Sequence, residues 1–404
     1  MSHEPTPASD ALVDMQRESL LGLSHAVHDD PETGFLEHRA AARVAGYLRE
    51  HGFAAIIGAY GLETAVVSRV GSGGPVVAFL AEYDALPEIG HACGHNVICA
   101  SSVGAYVAAA RHIEQLGGTA ILLGTPAEEN GTGKEIMARA GAFDGVDAAL
   151  MVHPHAGRDV LAEASLGLRE VTVTYRGRAA HASANPSLGL NALDAAVTAY
   201  QSVSQLRQSL LPTDRLHGII TDGGTSPNVI PDRSGLHFYL RAATPERLRE
   251  LTLRLQAIFD AAALATGTAA EVHWDPLPPC LPVRSNAVIA ARFGRHFTRL
   301  GRTVHPADPN GTGMGSTDLG NVSLRIPAIH PMVSVADSGV GMHTEEFVQH
   351  ARGVRADEAV IASAKSLAAV AIELVTDGEL LREVTADFVA AGGAIDVPEL
   401  LTVP

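Results

Sequence analysis

The sequence predicts an α/β protein: a domain with a mixed sheet flanked by helices, interrupted by a smaller ferredoxin-like α+β insert. Three observations carry that expectation. In the first part of the chain short apolar runs alternate with helix-compatible segments, the pattern of a sheet covered by helices. The middle part changes to the order strand, helix, strand, strand, helix, strand. Pro276, Pro278, Pro279 and Pro282 then form a stiff connector back to the first texture.

In chain order, residues 12–28 and 38–51 place apolar side chains at helical spacing, and Gly52 stands where a C-terminal cap is expected. The runs 76–80, 120–123 and 148–152 read as strands buried on both faces, with helices over 100–116 and 134–140 between them. Ligand sites in open α/β sheets lie outside the carboxyl ends of the strands. Here the three runs lead into Glu82 and Asp84, into Glu128 and Glu129, and into His153. In the insert, strands are expected at 171–175, 218–221, 235–240 and 271–274, with helices at 191–210 and 245–265. From residue 285 follow a helix, a Gly-rich loop over 311–320, an apolar strand near Ala328 and helices after His343. The larger domain is thus expected at residues 1–167 and 284–404, and the insert at 168–283. No internal repeat or low-complexity tract is visible.

A chain of 404 residues exceeds what one hydrophobic core usually supports, in keeping with two domains. With 46% hydrophobic and 18% charged residues it reads as globular. The 45 acidic against 29 basic side chains, a formal charge of -16, disfavour nucleic acid and anionic membrane surfaces as partners. Residues 1–10 lack the cationic start and apolar stretch of a secretory signal, and no apolar run approaches the roughly 18 residues of a membrane span. Cys93, Cys99 and Cys280 show no disulfide spacing, so a reducing compartment, the cytoplasm, is expected.

The chemistry concentrates around His91-Ala92-Cys93-Gly94-His95. A bent backbone at Gly94 could turn a thiolate and an imidazole toward one ion, and thiolate, imidazole and carboxylate together favour zinc or a similar divalent metal. Taken alone, the pair suits a buried thiol beside a hydrogen-bonded histidine equally well. Glu128 and Glu129, adjacent among Pro126, Gly131 and Gly133, would repel unless a cation or proton separates them, although a solvated acidic turn has the same look. Neighbouring carboxylates also permit a division of labour. One binds a metal that lowers the pKa of bound water to roughly 7, and the other serves as general base and later as acid to the leaving amine.

These residues resemble the M20 metallopeptidases, and within them the amidohydrolase subfamily D, similar to aminobenzoyl-glutamate hydrolase and aminoacylase-like proteins. The matches run in order along nearly the whole chain: His28 to Glu32 with Glu37; Ala81-Glu82-Tyr83-Asp84-Ala85-Leu86-Pro87; the central His-Ala-Cys-Gly-His; Thr125-Pro126-Ala127-Glu128-Glu129; Ala180-His181-Ala182; Pro227-Asn228-Val229-Ile230-Pro231; and Gly315-Ser316-Thr317-Asp318-Leu319-Gly320-Asn321. The resemblance implies a zinc-peptidase-like catalytic domain with an inserted lid or dimerisation domain. It implies two divalent metals, Zn2+ or Mn2+, held by Cys93, His95, Glu129, His153 and His343, with Glu128 as general base and metal-bound water as nucleophile. Asp84 would orient a ligand, although a helix-capping role fits its spacing equally well. A histidine stands two before this aspartate in many other members, whereas this chain has Glu82. His343 is preferred as the last ligand because a C-terminal helix follows it. The alternative is His330, which otherwise lines the pocket.

By the same resemblance His181 would polarise the scissile carbonyl. Asn228 and Arg241, with Ser316, would bind the substrate, the guanidinium gripping a carboxylate. An ordinary surface charge is the plain reading of Arg241. The insert would pair with a second copy to form a homodimer, allowing His181 to reach the partner's site. Gly131-Thr132-Gly133-Lys134 fails the phosphate-loop pattern and is set aside. His28-Asp29 is adequately explained by a cation at a helix end.

The expected activity is metal-dependent hydrolysis of the amide bond in an N-acyl or N-aroyl amino acid. The alternative is a dipeptidase for β-alanyl or basic dipeptides using the same residues. A metal-free thiol amidase with Cys93 as nucleophile and His95 or His91 as base is a third reading, and a non-catalytic binding homologue a fourth.

Overall fold

The computed structural model describes residues 6–306 and 315–402. The chain divides into two compact units. The larger comprises Met1–Ala164, Val283–Gly313 and Thr317–Ile395, and the smaller Ser165–Pro282, Met314–Ser316 and Asp396–Pro404. The last segment thus goes with the smaller unit: its helix Val397–Leu401 packs on the helix Pro245–Thr266, where the sequence reading carried the larger domain to residue 404.

In the larger unit a six-stranded mixed sheet runs in the order Ile56–Ile57, Val66–Val70, Thr119–Thr125, Val76–Glu82, Ala148–Leu150, Ala328–Ile329. The last four are mutually parallel, while Val66–Val70 pairs antiparallel with both of its neighbours, so the sheet is mixed as expected. Every residue of Thr119–Thr125 is buried, which is why that strand reads as an unbroken apolar run instead of an alternating one. Helices His95–Gln115 and Val354–Thr376 pack against each other and supply much of the core beside this sheet. A second, four-stranded sheet orders Val304–His305, Asp159–Val160, Met332–Ala336 and His153–Ala156.

Three expectations need correcting. The first helical stretch breaks at Gln16 into Thr6–Met15 and Arg17–His28. The run 148–152 is a strand only to Leu150, and His153 opens a new strand in the second sheet. Helix Val354–Thr376 is long and apolar enough to cross a membrane by length and composition, contrary to the expectation that no such stretch exists. Its apolar window is 72% buried inside the protein, so the same composition serves as a core helix. The Gly-rich loop over 311–320 lies outside the described residues as far as position 314.

The smaller unit holds an antiparallel sheet ordered Ala269–Trp274, Gly167–Arg176, Arg233–Ala242, Arg215–Asp222, with helices Ala192–Leu206 and Pro245–Thr266 packed on it. Strict alternation of buried and half-buried residues along Gly167–Leu168-Arg169-Glu170-Val171-Thr172-Val173-Thr174-Tyr175 explains its legibility as a strand covered on one face. Thr244 caps the helix Pro245–Thr266, accepting from Arg247 N, and Gly267 closes it with φ +70°.

Candidate metal centre

Two loops at strand ends and one helix start assemble the site. Val76–Glu82 leads into Asp84, and Thr119–Thr125 leads through Ala127 into Glu128 and Glu129. Between them in sequence, Gly94 adopts φ +77°, the left-handed conformation that glycine enters without penalty. A Cβ there would meet Pro154 Cγ at 2.7 Å. The turn it permits makes His95 the first residue of the helix His95–Gln115 and leaves Cys93 just before it. His153 begins the strand His153–Ala156, and the N–H of His343 donates to Ala92 O at 2.9 Å, tying the far segment to the central one. His343 itself holds a left-handed φ of 60°, a conformation that costs a non-glycine residue energy and recurs at functional sites.

The donor atoms of Cys93, His95 and His153 lie within 4.8 Å of one another. The same holds for Cys93, Glu129 and His343, for His95, Glu128 and Glu129, and for Glu82, Glu128 and Asp318. All five residues expected as ligands therefore fall into overlapping groups. His95 shows its Nδ1 to Asp84 Oδ1 at 2.9 Å, while Asp84 Oδ2 accepts the N–H of Glu129 at 2.9 Å. One carboxylate thus orients two of these residues, the arrangement by which an outer partner fixes the tautomer of a ligand. His153 is set similarly: its Nδ1 lies 2.6 Å from Pro154 O, and its Nε2 is left to face Cys93 Sγ at 3.5 Å.

Several buried atoms have no hydrogen-bond partner among the described residues. His95 Nε2, Glu82 Oε2 and Glu129 Oε1 are among them. His95 Nε2 lies 3.5 Å from Glu82, 3.7 Å from Glu129 and 3.8 Å from Glu128. A buried polar atom left unmatched costs about 1–3 kcal/mol, more when charged. Divalent cations accepting these lone pairs would remove that cost, so the thiolate, imidazole and carboxylate donors fit a metal.

The electrostatics point the same way. Without a cation, burial and then the Glu82 and Glu129 charges push Glu128 well above the carboxylate range. Burial, then Glu129, raises the Cys93 thiol. Burial lowers His153 to about 4, leaving a neutral imidazole with a free lone pair. Burial opposes the charge on His95, but Asp84 and Glu82 outweigh it and raise that group well above its usual value. A bound cation reverses this logic for the carboxylates and the thiol.

The sequence reading missed a second layer. Lys134, set aside there with a failed phosphate-loop pattern, is fully buried and pairs with Glu82 and with Asp318 Oδ1 at 2.5 Å. Its backbone N–H also donates to Asp318 Oδ2 at 2.8 Å. Burial disfavours the ammonium, but Asp318 and Glu82 outweigh it and keep Lys134 charged. Glu82 is therefore held by a lysine, with its Oε2 3.5 Å from His95 Nε2. The available signal was Gly133 beside Lys134, a position that admits only glycine because a Cβ there would lie 1.8 Å from Pro126 O.

His330 packs its ring 5.2 Å from that of His153, because Met332 pairs with His153 and carries it alongside. Burial and then His153 hold it well below its usual pKa, and its Nε2 has no partner in the described structure. It belongs to none of the donor groups above. His91 is buried beside His28, whose Nε2 lies 2.8 Å from Val348 O.

The remaining candidates lie in the smaller unit, in two separate pairs. Near His181, Ala182 N donates to Asn228 O at 3.0 Å. His181 Nδ1 accepts from Ala184 N at 3.1 Å and Ser183 N at 3.3 Å, which puts the ring proton on Nε2, exposed and free to donate. Arg241 Nη1 donates to Ser316 Oγ at 2.8 Å.

Comparison with known proteins gives consistent results. Residues 164–267 match the peptidase dimerisation domain of the M20 group. The chain is 37% identical to the Xaa-Arg dipeptidase of Mus musculus over 392 residues, covering 93% of this chain and 90% of that protein. It is 30% identical to a p-aminobenzoyl-glutamate hydrolase chain of Escherichia coli (strain K12), covering 93% and 92%. Among solved structures it resembles the Bacillus subtilis YXEP protein, a dinuclear metal binding peptidase from the M20 family, with TM-score 0.68 and 20% identity over 90% of this chain and 99% of that one.

Proposed function

The chain belongs to the M20 peptidase family and is a hydrolase acting on carbon–nitrogen bonds; on that premise we propose that it cleaves an amide bond whose leaving group is an amino acid bearing a free carboxylate. The observation that carries the reading is the meeting of Cys93, His95, Glu129, His153 and His343 in overlapping donor groups with Glu128 beside them. Those five residues would hold two divalent ions, zinc or manganese by the mix of sulfur, nitrogen and oxygen donors. Bound there, the metals would polarise the substrate carbonyl and activate water.

The chain's own residues then have distinct tasks. Glu128, adjoining His95 but not needed to complete the donor set around Cys93, takes the proton from the attacking water and returns it to the departing amine. Asp84 keeps His95 in its ligating tautomer. The exposed Nε2–H of His181 is available to donate to the carbonyl oxygen as charge develops there. Arg241, steadied by Ser316, with Asn228, holds the substrate carboxylate. His330 lines the pocket.

N-acyl and N-aroyl amino acids share that carboxylate with dipeptides, and the likeness to an Xaa-Arg dipeptidase favours trying arginyl dipeptides alongside them. Two copies would associate through the smaller unit, a reading supported by its match to a dimerisation domain. The thiols Cys93 and Cys99, buried outside any disulfide, support residence in the cytoplasm. The test is a hydrolysis screen of N-acyl amino acids, p-aminobenzoyl-glutamate and Xaa-Arg dipeptides with zinc, manganese and cobalt. Release of free amine with at least one metal is expected. Chelator-resistant turnover abolished by alkylation of Cys93 would overturn the metal mechanism in favour of a thiol amidase.

A further inference from the structure

The segment from Glu32 to Glu37 has no part in the chemistry above, yet it touches both loops that carry it. The carbonyl of Glu32 accepts the N–H of Ala85 at 2.8 Å, and Thr33 bridges Ala85, the residue after Asp84. Five residues on, Glu37 is wholly buried. Its Oε1 accepts the backbone N–H of Ala127 at 2.7 Å, and its Oε2 accepts the Thr64 hydroxyl at 2.8 Å. Thr64 in turn accepts through its carbonyl from the Tyr83 hydroxyl, on the strand end that carries Glu82 and Asp84.

Ala127 needs holding. It stands directly before Glu128 in the left-handed region, φ 58° and ψ 46°, a conformation that is unfavourable for an L-residue. Its surroundings are built to fit that turn. A Cβ on Gly34 would come within 2.9 Å of Ala127 Cα, and one on Gly131 within 2.8 Å of Ala127 Cβ. With Ala127 in an ordinary right-handed or extended conformation, the chain direction into Glu128 and Glu129 would change.

We propose that Glu37 is a positioning residue that holds Ala127 in its left-handed turn, and thereby aims Glu128 and Glu129 at the metal centre. The role rests on the assignment of Glu128 and Glu129 made above. The segment from Glu32 to Glu37, distant from the catalytic loops in sequence, thus clasps the Asp84 loop at one end and the Glu128 loop at the other.

The test compares Glu37→Ala with Glu37→Gln in the full-length protein with added manganese. Glutamine can still accept from Ala127 N–H while its amide donates to the Thr64 oxygen. Two readouts are taken: amide hydrogen exchange over residues 125–133, and kcat and KM for whichever of alanyl-arginine and p-aminobenzoyl-glutamate the unaltered enzyme cleaves. Glu37→Ala should speed exchange in that segment by about tenfold. It should lower kcat by about a hundredfold with KM within about threefold, the signature of a misplaced catalytic group. Glu37→Gln should stay within about threefold of the unaltered enzyme in both. In the double variant Glu37→Ala with Ala127→Gly, kcat should recover by about tenfold, because glycine takes the left-handed turn unaided. Exchange and kcat of Glu37→Ala both within threefold of the unaltered enzyme would overturn the proposal. Should Glu37→Ala fail to fold, Thr64→Val removes one anchor of Glu37. Exchange about threefold faster supports the role, and unchanged exchange overturns it. Cleavage of neither probe by the unaltered protein would overturn the substrate reading instead, and exchange alone then decides the role of Glu37.

Discussion

Lys134 Nζ lies 2.5 Å from Asp318 Oδ1 although both side chains are fully buried, and the same ammonium holds Glu82. Breaking a buried ion pair by removing one partner leaves an uncompensated charge and costs about 3–5 kcal/mol, whereas replacing the whole cluster with neutral groups is often neutral. Lys134→Met should therefore destabilise the protein by that amount in urea denaturation. Combining it with Glu82→Gln and Asp318→Asn should restore most of the loss.

Glu128 is the proposed proton carrier and is not needed to complete the donor set of Cys93, Glu129 and His343. Glu128→Gln should lower kcat by about 10²–10⁴-fold, the range that general acid–base groups contribute. Metal content, read by elemental analysis, should be unchanged. Intact turnover in this variant would show the assignment to be mistaken.

Asp84 receives His95 on one oxygen and the N–H of Glu129 on the other. Loss of such an outer partner typically costs about 10–100-fold in metal affinity. Asp84→Ala should show that weakening in a zinc or manganese titration, while Glu128→Gln should not.

Burial, and then the Asp84 charge, raise the Glu37 carboxyl from 4.5 to about 7. A carboxyl raised on folding binds a proton that the unfolded chain releases, so its contribution to stability is complete below pH 4.5 and is lost as pH rises to about 7. The loss amounts to about 3 kcal/mol at most. In metal-stripped protein, unfolding free energy should fall across that interval, and Glu37→Gln should flatten the fall. An equal slope in both proteins would assign the pH dependence to another group.

Local pattern made much of this protein legible from its residues alone. The strands Val76–Glu82 and Thr119–Thr125 are buried on both faces and so read as apolar runs, while Gly167–Arg176 is covered on one face and so alternates. Cys93 and His95, two apart around a glycine, and the adjacent Glu128 and Glu129 are local features, visible wherever a short window shows unusual chemistry at a strand end.

Only the tertiary structure decided how those pieces are held. Lys134 pairs with residues 52 and 184 positions away, and Glu37 with one 90 positions away. A lysine and a glutamate in a sequence window look like solvated charges. Burial turns them into a counter-ion and a clamp, and burial is set by which loops the sheet brings side by side. The helix Val354–Thr376 teaches the same point from the apolar side, since its composition suits a lipid bilayer and a protein core equally and its packing against His95–Gln115 is what separates the two. Windows of sequence therefore determined the elements and the reactive pairs. The fold determined which charges face each other without water, and hence which residues position the chemistry.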